Sequence, residues 1–224
     1  MPAGCYLVNG PDGPVRERFS CAPGPMGWRY VGTRTEPGAA HSAVAGSVAG
    51  SEAGSVTGSV DVTVDARWRP LRVELRTGAH VVRAGLTAAG LAWVRDGVEG
   101  AADAAALAAS SPALLVVRAR LVGPLTARDR PVLRILRFDG AALAPLGSEE
   151  RWDLVEVVEH PTDLGPLPVQ HWVVDDLVTG ERAEVHLAGD VVLAADGHSW
   201  SVTLEELDAP PTLFPPAAAS PRTP

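Results

Sequence analysis

Between residues 56 and 95 apolar and polar positions alternate in short runs. Val56–Asp65, Leu71–Thr77, His80–Ala88 and Leu91–Arg95 are rich in Val, Leu, Thr or Trp, and turn signals separate them at Arg69-Pro70, Gly78, Gly90 and Asp96-Gly97. Side chains along a strand alternate between two faces, so this stretch predicts a meander of antiparallel strands. In LRVELRTG (71–78), Leu71, Val73 and Leu75 then share one face while Arg72, Glu74 and Arg76 share the other. The charged row is expected on the solvent side, pairing across strands with residues such as Arg83. A second set of runs follows: Val132–Phe138, Arg151–Val158, Val169–Asp176, Arg182–Leu187, Val191–Ala195 and Trp200–Glu205. Asp139-Gly140, Thr179-Gly180 and Asp196-Gly197 mark its turns.

One segment between the two sets reads differently. Ser111-Pro112 places a hydroxyl before a proline at a first helical position, and LLVVRARLV then carries apolar residues at Leu114, Val117 and Leu121. The Ser-Pro pair favours a helix over 112–122, although the same residues also alternate as a strand with Arg118 and Arg120 on one side. The fold class predicted is mainly β: a strongly curved antiparallel sheet, a β-roll or half-barrel, with one packed α-helix. One β-rich domain is expected over residues 26–208. Residues 1–25 read as a Pro/Gly-rich leader, 38–59 as a low-complexity Gly/Ala/Ser loop, and 209–224 as a disordered Pro-rich tail.

Composition narrows the classes of function. At 46% hydrophobic and 21% charged over 224 residues, the chain can bury a substantial core. Its formal charge of -8, with no basic run, argues against nucleic acid or an anionic membrane as partner. There is no lysine, so all 19 basic residues are arginine, as in proteins of GC-rich genomes. The opening MPAGCYLVNG lacks the charged and apolar regions of a secretory signal, and no run of about 18 apolar residues offers a membrane span. A cytoplasmic location with Cys5 and Cys21 reduced is the expectation.

Motifs of catalysis are sparse. GHSWS (197–201) approaches the G-x-S-x-G elbow, but Ser201 stands in place of the final glycine, SVTLEEL lacks helical periodicity, and no histidine follows. A hairpin turn at Asp196-Gly197 is the preferred reading. The histidines, His41, His80, His160, His171, His186 and His198, show no metal-ligand spacing, and no glycine-rich phosphate loop is present. No catalytic residue, metal or cofactor is therefore assigned. Six tryptophans, more than Phe and Tyr together, are spread through the predicted strands and suit either core packing or the wall of a cavity.

The segments GWRYVGTRTEPG, VDVTVDARWRPLRVELRTGAHVVRAGL, SSPALLVVRARL and TDLGPLPVQHWVVDDLVTGERAEVHLAGDVVLAADG resemble an uncharacterised family of actinobacterial hypothetical proteins. The order meander, Ser-Pro helix, meander is in turn similar to the curved sheets of glycolipid-binding and lipoprotein-carrier-like proteins. That resemblance implies a non-catalytic binding module for an apolar or amphiphilic small molecule, such as a lipid or glycolipid. An interaction or scaffold protein with a filled core and no small-molecule ligand is the alternative. Trp93 and Arg95, two apart on one strand face, are the candidate ligand contacts, together with Trp172 and His171. Adjacent residues point to opposite faces, so His171 can join Trp172 only where the strand twists or ends.

Overall fold

Both meanders form, and they join in a single sheet. The computed structural model describes residues 1–24, 27–36, 56–123, 130–197 and 200–213. The first half of the chain lays down β1 (Ala3–Gly10), β2 (Gly13–Gly24), β3 (Gly27–Thr35), β4 (Val56–Asp65), β5 (Pro70–Thr77), β6 (His80–Thr87), β7 (Gly90–Arg95) and β8 (Val98–Ala102). A short strand, β9 (Ala106–Ala108), leads into the helix α1 (Pro112–Val122). The chain returns as β10 (Val132–Asp139), β11 (Ala144–Thr162), β12 (Gly165–Asp176), β13 (Arg182–Ala188), β14 (Val191–Gly197) and β15 (Ser201–Leu207). Across the 15-stranded sheet the order runs β8 to β1, then β15 to β9. Among the described strands, the β9–β10 pair alone is parallel.

The expected leader is instead the middle of the sheet. β1 pairs with β2 on one side and with β15 on the other. Tyr6 and Val8 on β1, with Phe19 and Cys21 on β2, alternate inward and are buried. Tyr6 and Phe19 stack with ring centres 4.5 Å apart. The prolines that suggested irregular chain sit at the turn and near the two ends of β2, where a strand tolerates a missing donor. At the other terminus the tail expected to be disordered begins docked. Thr212 donates its N–H to the buried carboxylate of Asp190 at 2.7 Å. Gly189 in that turn has φ +57, and a Cβ there would strike the carbonyl of Thr212. Residues 214–224 lie outside the described residues, as does most of the expected 38–59 loop, whose last residues begin β4.

The face assignment of β5 holds with one exception. Val73 and Leu75 are buried, but Leu71 is 56% exposed while Pro70 is buried. Leu71 is the extra residue of a bulge that faces Thr63 and Val64 on β4, and it slips the alternation at that end. On the outer face Glu74 receives Arg72, Arg76 and Arg83, as the cross-strand pairing anticipated.

The sheet wraps around α1. Ser111 has extended backbone geometry, Pro112 starts the helix, and Gly123 ends it at φ +78 with its N–H on the Arg120 carbonyl. Every residue from Pro112 to Ala119 is buried. A helix apolar on all sides needs cover on all sides, and β4, β9 and β14 pack against it. Burying each of Leu114, Leu115, Val116 and Val117 contributes about 1.5 to 3 kcal/mol, which an eleven-residue helix needs because it is marginal alone. The curvature brings β7, near one edge of the sheet, against β10, near the other: Trp93 meets Phe138 edge-on at 5.9 Å. Leu143, in the turn between β10 and β11, is buried in the same core.

Candidate functional site

Between α1 and the strands β10 to β14 a cleft of about 30 Å³ opens to solvent. That is room for a water or two and no more. Arg118 of α1, Arg137 of β10, Glu150 of β11 and Asp176 of β12 form its charged floor, and Arg182, Glu181 and Trp200 line its mouth. Alternation explains the convergence. Ser148, Glu150 and Trp152 share the inward face of β11, as Trp172, Val174 and Asp176 do on β12, and the register sets Glu150 directly opposite Asp176.

Two carboxylates side by side repel, so they persist only with cations between them. Arg137 supplies one, its Nη2 at 2.7 Å from Asp176 and 3.7 Å from Glu150. Arg118 supplies the other, its Nε at 3.0 Å from Glu150, though not aligned as a hydrogen bond. Glu150 also accepts the Trp152 indole N–H at 3.0 Å, and the Arg118 guanidinium lies over the Trp152 ring. Arg118 further donates to the carbonyl of Leu107 on β9, which ties the helix to the sheet.

Burial alone would raise Asp176, yet the N–H groups of Thr179 and Val178, the Ser148 hydroxyl and Arg137 outweigh it and hold the carboxyl below its usual range. Burial pushes Arg118 down, and Glu150 opposes that shift. The floor therefore carries two guanidinium donors and two carboxylate acceptors with no net charge. Trp200 lies tight over Gly197, where a Cβ would come within 3.0 Å of the indole nitrogen. The cleft thus combines hydrogen-bonding groups of both kinds with one aromatic side chain.

Two other buried polar clusters serve the fold. Glu17, fully buried on β2, accepts from Tyr30, from Ser111 at 2.8 Å and from Arg34 at 2.8 Å, pinning the start of α1 to the sheet. Asp190 accepts from Trp28 at 3.2 Å and from the Cys21 thiol at 3.4 Å. Burial and the Asp190 charge drive that thiol far above its ordinary range. Cys5 and Cys21 are both free and buried.

The residues singled out from sequence do not converge. Trp93 and Arg95 share the inward face of β7, with Trp93 packed on Phe138 and over Gly100. Trp172 is buried on β12 and meets Trp152 at 5.7 Å, so it stands one layer behind the floor of the cleft. His171 faces outward, stacked on His186 at 4.3 Å beside Glu156. The residues that line the cleft were missed, yet each left a trace. Arg118 interrupts an otherwise apolar helix, and Glu150 and Asp176 fall in phase with the buried tryptophans of their strands. The GHSWS stretch spans the β14–β15 connection, where Gly197 donates to the Trp200 carbonyl at 2.9 Å, while His198 and Ser199 lie outside the described residues. Among the described residues no three His, Cys, Asp or Glu side chains are grouped as metal ligands, and no helix is long and apolar enough to cross a membrane.

No protein-family description matches the chain, and no curated protein matches its sequence. Among solved structures a distant neighbour is a DUF1089 family protein from Pseudomonas aeruginosa, 14% identical, with a TM-score of 0.46 over 86% of this chain and 89% of that one.

Proposed function

We propose that the protein is a non-catalytic binding module that receives the polar head of an amphiphilic small molecule, lipid-like or glycolipid-like, at the cleft beside Trp200. The observation that carries this reading is the charged quartet of buried Arg118, Glu150 and Asp176 with half-buried Arg137, which meets solvent at the mouth of the cleft. Four charges removed from water stabilise a fold no better than apolar residues of the same volume would. Placed at an opening, their donors and acceptors instead suit the hydroxyl or carbonyl groups of a neutral polar ligand, with an indole for its apolar part. Asp176, held ionised, is a poor proton donor, and Ser148 already gives its hydroxyl to it, which favours recognition over catalysis.

The volume of the cleft limits the ligand. About 30 Å³ cannot hold an acyl chain, so the chain stays outside and only the head group is read. A filled core also favours a second reading, an interaction or scaffold protein with no small-molecule ligand. A fluorescence titration with lipid extracted from the source cells separates them. The head-group reading expects a saturable change in indole emission that is lost in Trp200→Phe and weakened in Arg137→Ala. A flat titration in the wild type, or an undiminished signal in Trp200→Phe, supports the scaffold reading instead.

A further inference from the structure

The hairpin β11–β12 is much longer than its neighbours. β10 pairs with β11 only as far as Arg151, and β13 pairs with β12 only from Gln170 onward. The remainder, from Asp153 to Val169, is a two-stranded ribbon with both outer edges unpaired among the described residues. Such a ribbon is marginal by itself in water, and an open edge is a template for another strand.

The two edges differ. On β12 the sequence GPLPV places Pro166 and Pro168 in the ribbon, removing N–H donors and protecting that edge. β11 runs from Asp153 to His160 without proline, so along about 26 Å its outward N–H and C=O groups are complete. Along this stretch Val155 and Val157 are 62% and 50% exposed. Val155 is the extra residue of a bulge that turns the ribbon away from the main sheet.

Charge indicates what could cover it. Residues 153–171 contain Asp153, Glu156, Glu159 and Asp163 and no Arg or Lys. Arg130 neutralises Asp153 at 3.2 Å, while Glu156, Glu159 and Asp163 remain exposed. A second copy of this acidic ribbon would bring like charges together, and an anionic lipid surface would be repelled.

We propose that the free edge of β11, from Asp153 to His160, is a docking strand for an extended basic segment of a partner protein. That segment would add as a further strand, with its backbone bonded to β11, apolar β-branched side chains on Val155 and Val157, and Arg or Lys facing Glu156 and Glu159. This surface is separate from the cleft and does not depend on it.

Short random peptides displayed on phage and selected on the purified full-length protein provide the test, with binding sites mapped by backbone amide shifts. The enriched peptides are expected to carry β-branched residues (Val, Ile or Thr) together with Arg or Lys and to shift amides of residues 153–160. The double variant Glu156→Lys, Glu159→Lys, which leaves the backbone edge intact, should weaken them about tenfold or more. Val157→Pro, which removes an edge donor, should also weaken them. Enriched peptides without basic residues, shifts mapping to other strands, or affinity unchanged by the charge reversal would overturn the proposal. So would binding of the ribbon to phosphatidylcholine or phosphatidylglycerol vesicles in place of peptides.

Discussion

Glu17 shows how much single side chains carry in this fold. Its two oxygens take a phenol, a hydroxyl and a guanidinium inside the core, and no water reaches it. Removing one member of a buried ion pair strands the other, so Arg34→Ala should destabilise the protein by about 3 to 5 kcal/mol in a urea titration. Glu74 makes the opposite case. Arg83, Arg76 and Arg72 surround it and lower its carboxyl to about 2. A carboxyl depressed on folding contributes stability above its unfolded value of about 4.3, and that contribution is lost as pH falls toward the folded value. The three arginines are 46% to 64% exposed, so the contribution is screened and Arg83→Ala should change stability by less than about 1 kcal/mol. Carbon-detected NMR titration should find the Glu74 carboxyl near 2 in the wild type and higher in Arg83→Ala.

At the scale of elements, what was legible depended on whether the signal was local. Alternation located the strands from β4 to β7 and from β10 to β15, and Ser111-Pro112 located α1. The same prolines and glycines that punctuate those strands hid β1 and β2, because Tyr6, Val8, Phe19 and Cys21 alternate beneath a loop-like composition. The cleft was illegible for another reason. Glu150 and Asp176 meet only through the register of one hairpin, and Arg118 reaches them from a helix distant in sequence. The hydroxyl at the N-terminus of α1 does not cap the helix: Ser111 donates it to Glu17. Ser111→Ala should therefore destabilise by about 1 to 3 kcal/mol, more than an exposed cap, since a buried carboxylate loses a donor. Thermal unfolding measures that. Truncation after Asp208 removes the Thr212 N–H from buried Asp190 and should lower stability by a similar amount, about 1 to 3 kcal/mol. In the truncated protein the Cys21 thiol, unreactive when buried and raised by Asp190, should react faster with an aromatic disulfide reagent.

The whole molecule is organised by the pairing of its two ends. β1 and β15 lie together at the centre of the sheet, so neither half closes without the other; residues 103–105 carry the chain from the β8 edge to the β9 edge, and α1 then links β9 to its parallel neighbour β10. Pairings this distant in sequence make folding slow, on the order of milliseconds to seconds, and stopped-flow refolding should show it. The same wrapping fills the interior with a helix and places the charged cleft at Trp200 where α1 meets the strands β10 to β14. Native mass spectrometry of the full-length protein, purified gently from its source cells, tests whether an amphiphile binds by its head group at the cleft beside Trp200. The wild type should carry a bound species of amphiphile mass that is absent from Arg137→Ala prepared in the same way. A bare polypeptide mass for the wild type, or the same bound species retained undiminished by Arg137→Ala, would contradict it.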